Sequence, residues 1–217
     1  MATHLKTAVS KYEEAIEAFE KAIQLKPGLY QAWYGKGLTL YDQAQYAAAI
    51  EAFDQAIETS KGKNFLPSWR LRSGALLTLK RYEEALESYD KALALNPRDF
   101  RLYIWRGVTL GNLKRHQEAI ASYNKAIEIE SHPWAYDNRG NAYWNLEKYN
   151  EAIADYNRAL EINPNHEYAH NNRSNAYDNL GKYNEAIADY NRALEINPNH
   201  EYTHNNRSNA YDKLKQD

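Results

Sequence analysis

Apolar side chains return every three or four residues along most of this chain, in short bursts separated by polar turns. Tyr183, Ala186, Ile187, Tyr190, Ala193 and Leu194 fall at i, +3, +4, +7, +10 and +11, which is one face of an α-helix. Asn197-Pro198 ends that helix, because proline clashes with the preceding turn and biases the residue before it away from the α region. Upstream, His170, Arg173, Ser174, Tyr177 and Leu180 line one face of another helix, closed by Gly181. The pattern predicts a unit of helix, turn, helix, turn.

That unit recurs. The stretch from Lys148 to Asp178 returns 34 residues later, from Lys182 to Asp212, with Ala169 replaced by Thr203 as the single change. A period of this length is the mark of a stacked helical array. With Pro164 and Pro198 placed at position 32, position 20 reads Ala15, Ala49, Ala85, Ala119, Ala152 and Ala186, and position 27 is alanine in all six units. Position 24 is Phe19, Phe53, Tyr89, Tyr123, Tyr156 and Tyr190; position 8 is always Gly or Ser. Small residues at fixed points with an aromatic between them suit close helix crossings in which a ring fills the gap.

The register resembles the tetratricopeptide repeat, whose signature is W-x2-L-G-x2-Y, then A-x3-F, then P, and it resembles bacterial tandem arrays of that type. The resemblance implies an all-α, right-handed α-solenoid, a superhelix of stacked antiparallel helix-turn-helix repeats of about 34 residues. One departure is systematic: position 7, usually leucine, holds Lys36, Arg72, Arg106, Arg139, Arg173 and Arg207. Residues 1–217 read as one domain: a half repeat 1–29, repeats 30–65, 66–99, 100–132, 133–166 and 167–200, and an unpaired helix 201–217. Met1–Val9 is expected to supply only the end of a first helix, with Lys11–Leu25 a separate second helix. Irregular exits are expected at Ser60–Phe65 and Glu130–Pro133, where the Asn-Pro turn is missing.

Nineteen tyrosines against four phenylalanines point to half-buried rings whose hydroxyls reach polar partners. A net charge of −2 gives the chain no overall attraction to nucleic acid or to anionic membrane, so neither is expected as a partner. There is no cysteine for disulfides or thiolate metal sites, no signal-peptide-like run at the start, and no apolar span. A soluble, cytoplasmic protein is expected.

Two stretches match H-E-x-x-H, His166–His170 and His200–His204, the motif in which two histidines one turn apart bind zinc and the glutamate activates water. The first histidine of each follows Asn-Pro-Asn, at a turn or helix start, and the second sits at position 4, where earlier units place Trp33 and Trp69. Neither a metal site nor a cofactor is expected, nor an enzyme. Asn172-Arg173-Ser174 and Asn206-Arg207-Ser208 match the glycosylation sequon but fall in mid-helix. The position-7 arginines face their own second helix, so that Arg139 and Arg173 are expected to pair with Asp155 and Asp189 at position 23. Arg72 and Arg106 face serines there and are expected to be freer to meet a ligand.

What the resemblance implies for binding is a concave groove lined by the first helices, at positions 2, 5, 6, 9, 12 and 13. An apolar and basic part is then expected from Tyr34, Leu38, Tyr41, Arg70, Arg101 and Trp105, with Leu77, Ile104 and Val108. A polar part is expected from Trp134, Asn138, Asn141, Trp144, Asn172, Asn175 and Asn206, with Asp137, Asn171 and Asp178. Asn138, Asn172 and Asn206 at position 6 look like the asparagine ladder by which some members hold a peptide backbone. No unit supplies the lysine of the family's carboxylate clamp. The function expected is a noncatalytic adaptor or scaffold that binds a peptide or protein segment. The alternatives are single-stranded RNA binding by helical repeats and, more remotely, a zinc-dependent hydrolase. Head-to-tail self-association through 1–25 and 201–217 is also expected.

Overall fold

The computed structural model describes residues 2–60 and 65–216, with side chains from residue 11 onward. Among them are twelve helices and no strand. The chain forms two compact units, Met1–Arg98 and Asp99–Asp217. The first unit holds α1 (Ala2–Leu25), α2 (Tyr30–Asp42), α3 (Tyr46–Thr59), α4 (Leu66–Thr78) and α5 (Tyr82–Leu95). The second holds α6 (Phe100–Asn112), α7 (His116–Ile129), α8 (Pro133–Asn145), α9 (Tyr149–Ile162), α10 (Glu167–Asn179), α11 (Tyr183–Ile196) and α12 (Glu201–Leu214). The fold is an all-α helical repeat solenoid, as the periodicity requires.

Within each unit the core is a series of small clusters instead of one centre. Leu40, Ala49, Ala52 and Phe53 form one; Ala186, Ile187, Tyr190 and Ala210 form another. Apart from Ala15 and Ala22, which are partly buried, the alanines at positions 20 and 27 are essentially without solvent exposure, which lets the helices cross closely. At position 8 the approach is closer still. A Cβ added to Gly37 would stand 2.7 Å from the ring of Phe53, so the aromatic lies directly on bare backbone.

The turn inside each hairpin is made at position 15 by a residue with positive φ: Ala44, Lys80, Lys114, Glu147 and Gly181. Only the last is glycine. An L-residue held there brings Cβ against the next carbonyl, a strain that glycine lacks. Lys114→Gly and Glu147→Gly should therefore each raise stability by about 0.5–1 kcal/mol, and Gly181→Ala should lower it by a similar amount. Nothing lies within 4 Å of the Cβ that Gly181 would gain, so backbone strain alone sets the sign. Urea melts of the three variants check this.

The chain start differs from expectation. Ala2–Leu25 is one continuous helix, so residues 2–9 run into Lys11–Leu25 and are not the end of a separate first helix. Ser10 occupies the turn position, but nothing in Ala8-Val9-Ser10-Lys11 breaks a helix, and the backbone runs through. At the other end, Ala210 packs against α11 and Leu214 is partly buried on the same cluster, while Tyr211 is exposed. The irregular exit after repeat 30–65 falls largely on residues 61–64, outside the described residues. The one at Glu130–Pro133 is visible: Glu130 is extended, the His132 side chain caps α8, and Pro133 takes the first helical turn.

Candidate functional site

Within the second unit, the first helices α6, α8, α10 and α12 approach one another along the stack, whereas no comparable approach links the second helices α7, α9 and α11. The first helices therefore line the tighter, inner side. Position-7 arginines fix their spacing. Arg139 donates to both carboxylate oxygens of Asp155 on its own second helix, at 2.6 and 2.8 Å, and to Asn124 on the preceding second helix. Arg173 repeats this with Asp189 and Asn157, and Arg207 reaches Asn191. In the first unit Lys36 reaches Glu20, and Arg72 reaches both Asp54 and Ser88.

The expected pairs with Asp155 and Asp189 are thus present. The second leg, to position 25 of the preceding repeat, was not foreseen. Its signal was in the sequence, since that position is always a carboxylate or an amide: Glu20, Asp54, Asp90, Asn124, Asn157 and Asn191. Arg72 is consequently not free for a ligand, because Asp54 holds it. Burial pushes the Asp189 carboxyl up, but hydrogen bonds from Arg173 and His170 outweigh burial and hold it below the usual carboxylate range.

The H-E-x-x-H stretches resolve into packing. His166 and His200 are helix N-caps, whose Nδ1 atoms accept the backbone N–H of Ala169 and Thr203. His170 is buried, with Nδ1 at the Asp189 carboxylate and Nε2 at the Pro164 carbonyl. His204 Nε2 contacts the Pro198 carbonyl. Among the described residues no three His, Cys, Asp or Glu side chains are grouped to hold a metal.

The position-6 asparagines are not a row of idle amides. Asn138 donates to the Trp134 carbonyl of its own helix, Asn172 to Asp137, and Asn206 to Asn175. Asn141 and Asn175 accept the hydroxyls of Tyr156 and Tyr190, buried rings of the second helices. Asp137 is buried, and burial pushes its carboxyl up against the opposing pulls of His166 and the Asn172 amide. The inner polar side chains are therefore tied to the core and to each other.

The aromatic residues differ in their surroundings. Tyr34 is half-buried against Phe53 and Phe65, and Tyr41 lies edge-on to Tyr46; both are in the first unit with Leu38 and the exposed Arg70. The sequence groups Arg101 and Trp105 with these residues, but they belong to the second unit. There, Trp105 (42% exposed) and Trp134 (52%) face one hollow of about 390 Å³, floored by the buried Phe100 and Ile104. Trp144 (37%) stands farther along α8, edge-on to Tyr149. Asn138 and Asn141 line a second hollow of about 620 Å³ beside Gly111 and His116. His116 replaces the tyrosine found at position 17 in the other five units, and nothing lies within 4 Å of where a Cβ on Gly111 would stand.

Tetratricopeptide repeat profiles match residues 7–64 and 72–133 in one form and residues 133–166 and 167–200 in another. The chain belongs to the tetratricopeptide repeat family. Repeats of this family build protein-interaction scaffolds, which is the class of function the chain has. Among curated protein sequences none matches it. Solved TPR structures do. YrrB, described as a TPR protein with an unusual peptide-binding site, is 21% identical, with a TM-score of 0.71 over 89% of this chain and 99% of YrrB. A TPR protein from Parabacteroides merdae is 21% identical, with a TM-score of 0.77 over 86% of this chain and 73% of its own. Residues 41 to the end of MamA from Desulfovibrio magneticus are 17% identical, with a TM-score of 0.72 over 79% and 97%. At these identities the likeness is one of fold. No helix among the described residues is long and apolar enough to cross a membrane.

Proposed function

We propose that this TPR protein is a noncatalytic, cytoplasmic scaffold that holds a peptide or protein segment against its first helices. One observation carries the reading: Trp105, Trp134 and Trp144 stand exposed on α6 and α8, two of the first helices of the second unit. Large exposed aromatics gathered on one surface are the usual anchors of protein contacts. Asn138, Asn141, Asn172, Asn175 and Asn206 would extend that surface along α8, α10 and α12, and Tyr34, Leu38, Tyr41 and Arg70 would give the first unit a more apolar surface of its own. Self-association through 1–25 and 201–217 has less behind it, since Ala210 already packs on α11.

Trp134→Ala combined with Trp144→Ala should abolish capture of the partner proteins that the unaltered chain retains from cell extract. Helicity should be unchanged and stability lowered by no more than about 1 kcal/mol, as for surface residues. A double variant that still captures the same partners overturns the reading. One that melts many degrees lower would instead place the two indoles in the core.

A further inference from the structure

The hollow between Trp105 and Trp134 has an unusual chemical balance. Its floor and walls are apolar, formed by Phe100, Ile104, Pro133 and the two indole rings. The polar side chains that line it each have a proton to give. The indole N–H groups can only donate, and so can the Arg101 guanidinium, which rests over the Phe100 ring at 5.0 Å. His132 Nδ1 accepts the backbone N–H of Trp134 at 3.3 Å, which puts the ring proton on Nε2 as a further donor. Asn163 Oδ1 accepts the backbone N–H of Asn165 at 3.2 Å, so its amide is turned to leave the NH₂ as its offering.

An ordinary peptide brings as many N–H groups as carbonyls, and here its N–H groups would find few acceptors, at the desolvation cost of each unpaired donor. A proline segment brings carbonyls and no N–H at all. In the polyproline II form those carbonyls make no internal hydrogen bond, the rings are flat enough to lie on indole faces, and little chain entropy remains to be lost. A quaternary or lysine cation, the other common guest of tryptophan pairs, is disfavoured by Arg101 in the wall. We propose that this hollow binds a proline-rich segment in the polyproline II conformation, with prolines seated on Trp105 and Trp134 and their carbonyls on the surrounding donors. The inference rests on the reading that the first helices hold a protein segment, and it names the chemistry of that segment.

Fluorescein-labelled octaproline, capped at both ends, titrated against the full chain by fluorescence polarisation, tests it. Binding is expected, weakened roughly tenfold or more by Trp105→Ala and by Trp134→Ala, and less than about threefold by Trp144→Ala, with circular dichroism confirming that each variant is folded. Trp134→Phe, which keeps a ring and removes the N–H, should fall between. An unlabelled alternating alanine–serine peptide of equal length should fail to compete. Octaproline that does not bind, binds either alanine variant as tightly as the unaltered chain, or is displaced as well by the alanine–serine peptide overturns the inference. If the alanine–serine peptide binds and needs Trp134, the proline specificity falls while segment binding by the first helices stands.

Discussion

Arg173→Ala is expected to destabilise the protein by about 3–5 kcal/mol, the range for removing one partner of a buried ion pair. The guanidinium is 20% exposed and makes paired 2.6 Å contacts to Asp189, itself 9% exposed. Without it a carboxylate remains buried between α10 and α11, with His170 as its nearest remaining partner at 3.3 Å. The Asn157 amide on the preceding second helix loses its donor at the same time, so both the hairpin and its junction are weakened. Arg173→Lys should recover only part of the loss, because one ammonium cannot reproduce a planar two-oxygen contact and also reach Asn157. Arg207→Ala should cost much less, because its contacts among the described residues are to the Asn191 amide and the His204 ring and not to a carboxylate. Urea melts of the three variants decide the order. Equal losses at Arg173 and Arg207 would show that the carboxylate is not what matters.

Phe53→Ala should cost a further large amount, about 3–5 kcal/mol. The ring has no solvent exposure, packs with Leu40, Ala49 and Ala52, and covers Gly37 so closely that no side chain could be added there. Truncation leaves a cavity that alanines and glycine cannot collapse to fill. Because the packing runs from neighbour to neighbour, the loss should appear first in α2 and α3. Amide hydrogen exchange along α2 and α3 should quicken well before that of α11. Uniform acceleration through the chain would mean that it unfolds as one cooperative body.

These effects were largely readable from the register. Position 8, position 24 and the alanines announce the close crossings, and the alternation of Arg139 with Asp155 and Arg173 with Asp189 announces the pairs. Three things were not readable. The grip of Arg72 on Asp54 depends on how one repeat seats on the previous one: the carboxylates and amides at position 25 mark possible partners, but spacing within a repeat does not say which residue reaches them. The continuity of α1 follows from a turn position that lacks any breaker, whereas Lys80, Lys114 and Glu147 show that a breaker is not needed elsewhere, so packing and not local preference decides. The amides of Asn172 and Asn206 look exposed on a helical wheel, yet neighbouring first helices come close enough for them to bond to Asp137 and Asn175. For the candidate site, tryptophans at inner positions were legible, but not that Trp105 and Trp134 share one hollow, which takes two helices to form.

The near identity of Lys148–Asp178 and Lys182–Asp212 has a consequence for inheritance. The staple of Arg173 onto Asn157 and that of Arg207 onto Asn191 are the same joint made twice, as are the tyrosine contacts of Asn141 and Asn175. An unequal crossover between the two coding stretches would add or delete one whole unit, and every joint in the product would be of a kind the protein already contains. Thr203 marks where the copies have begun to part: its hydroxyl bonds to Asn171 on the previous first helix, a contact Ala169 cannot make. The length of the inner surface can thus change by whole repeats without any new packing having to be invented, and a single side chain is enough to begin giving a new repeat its own identity.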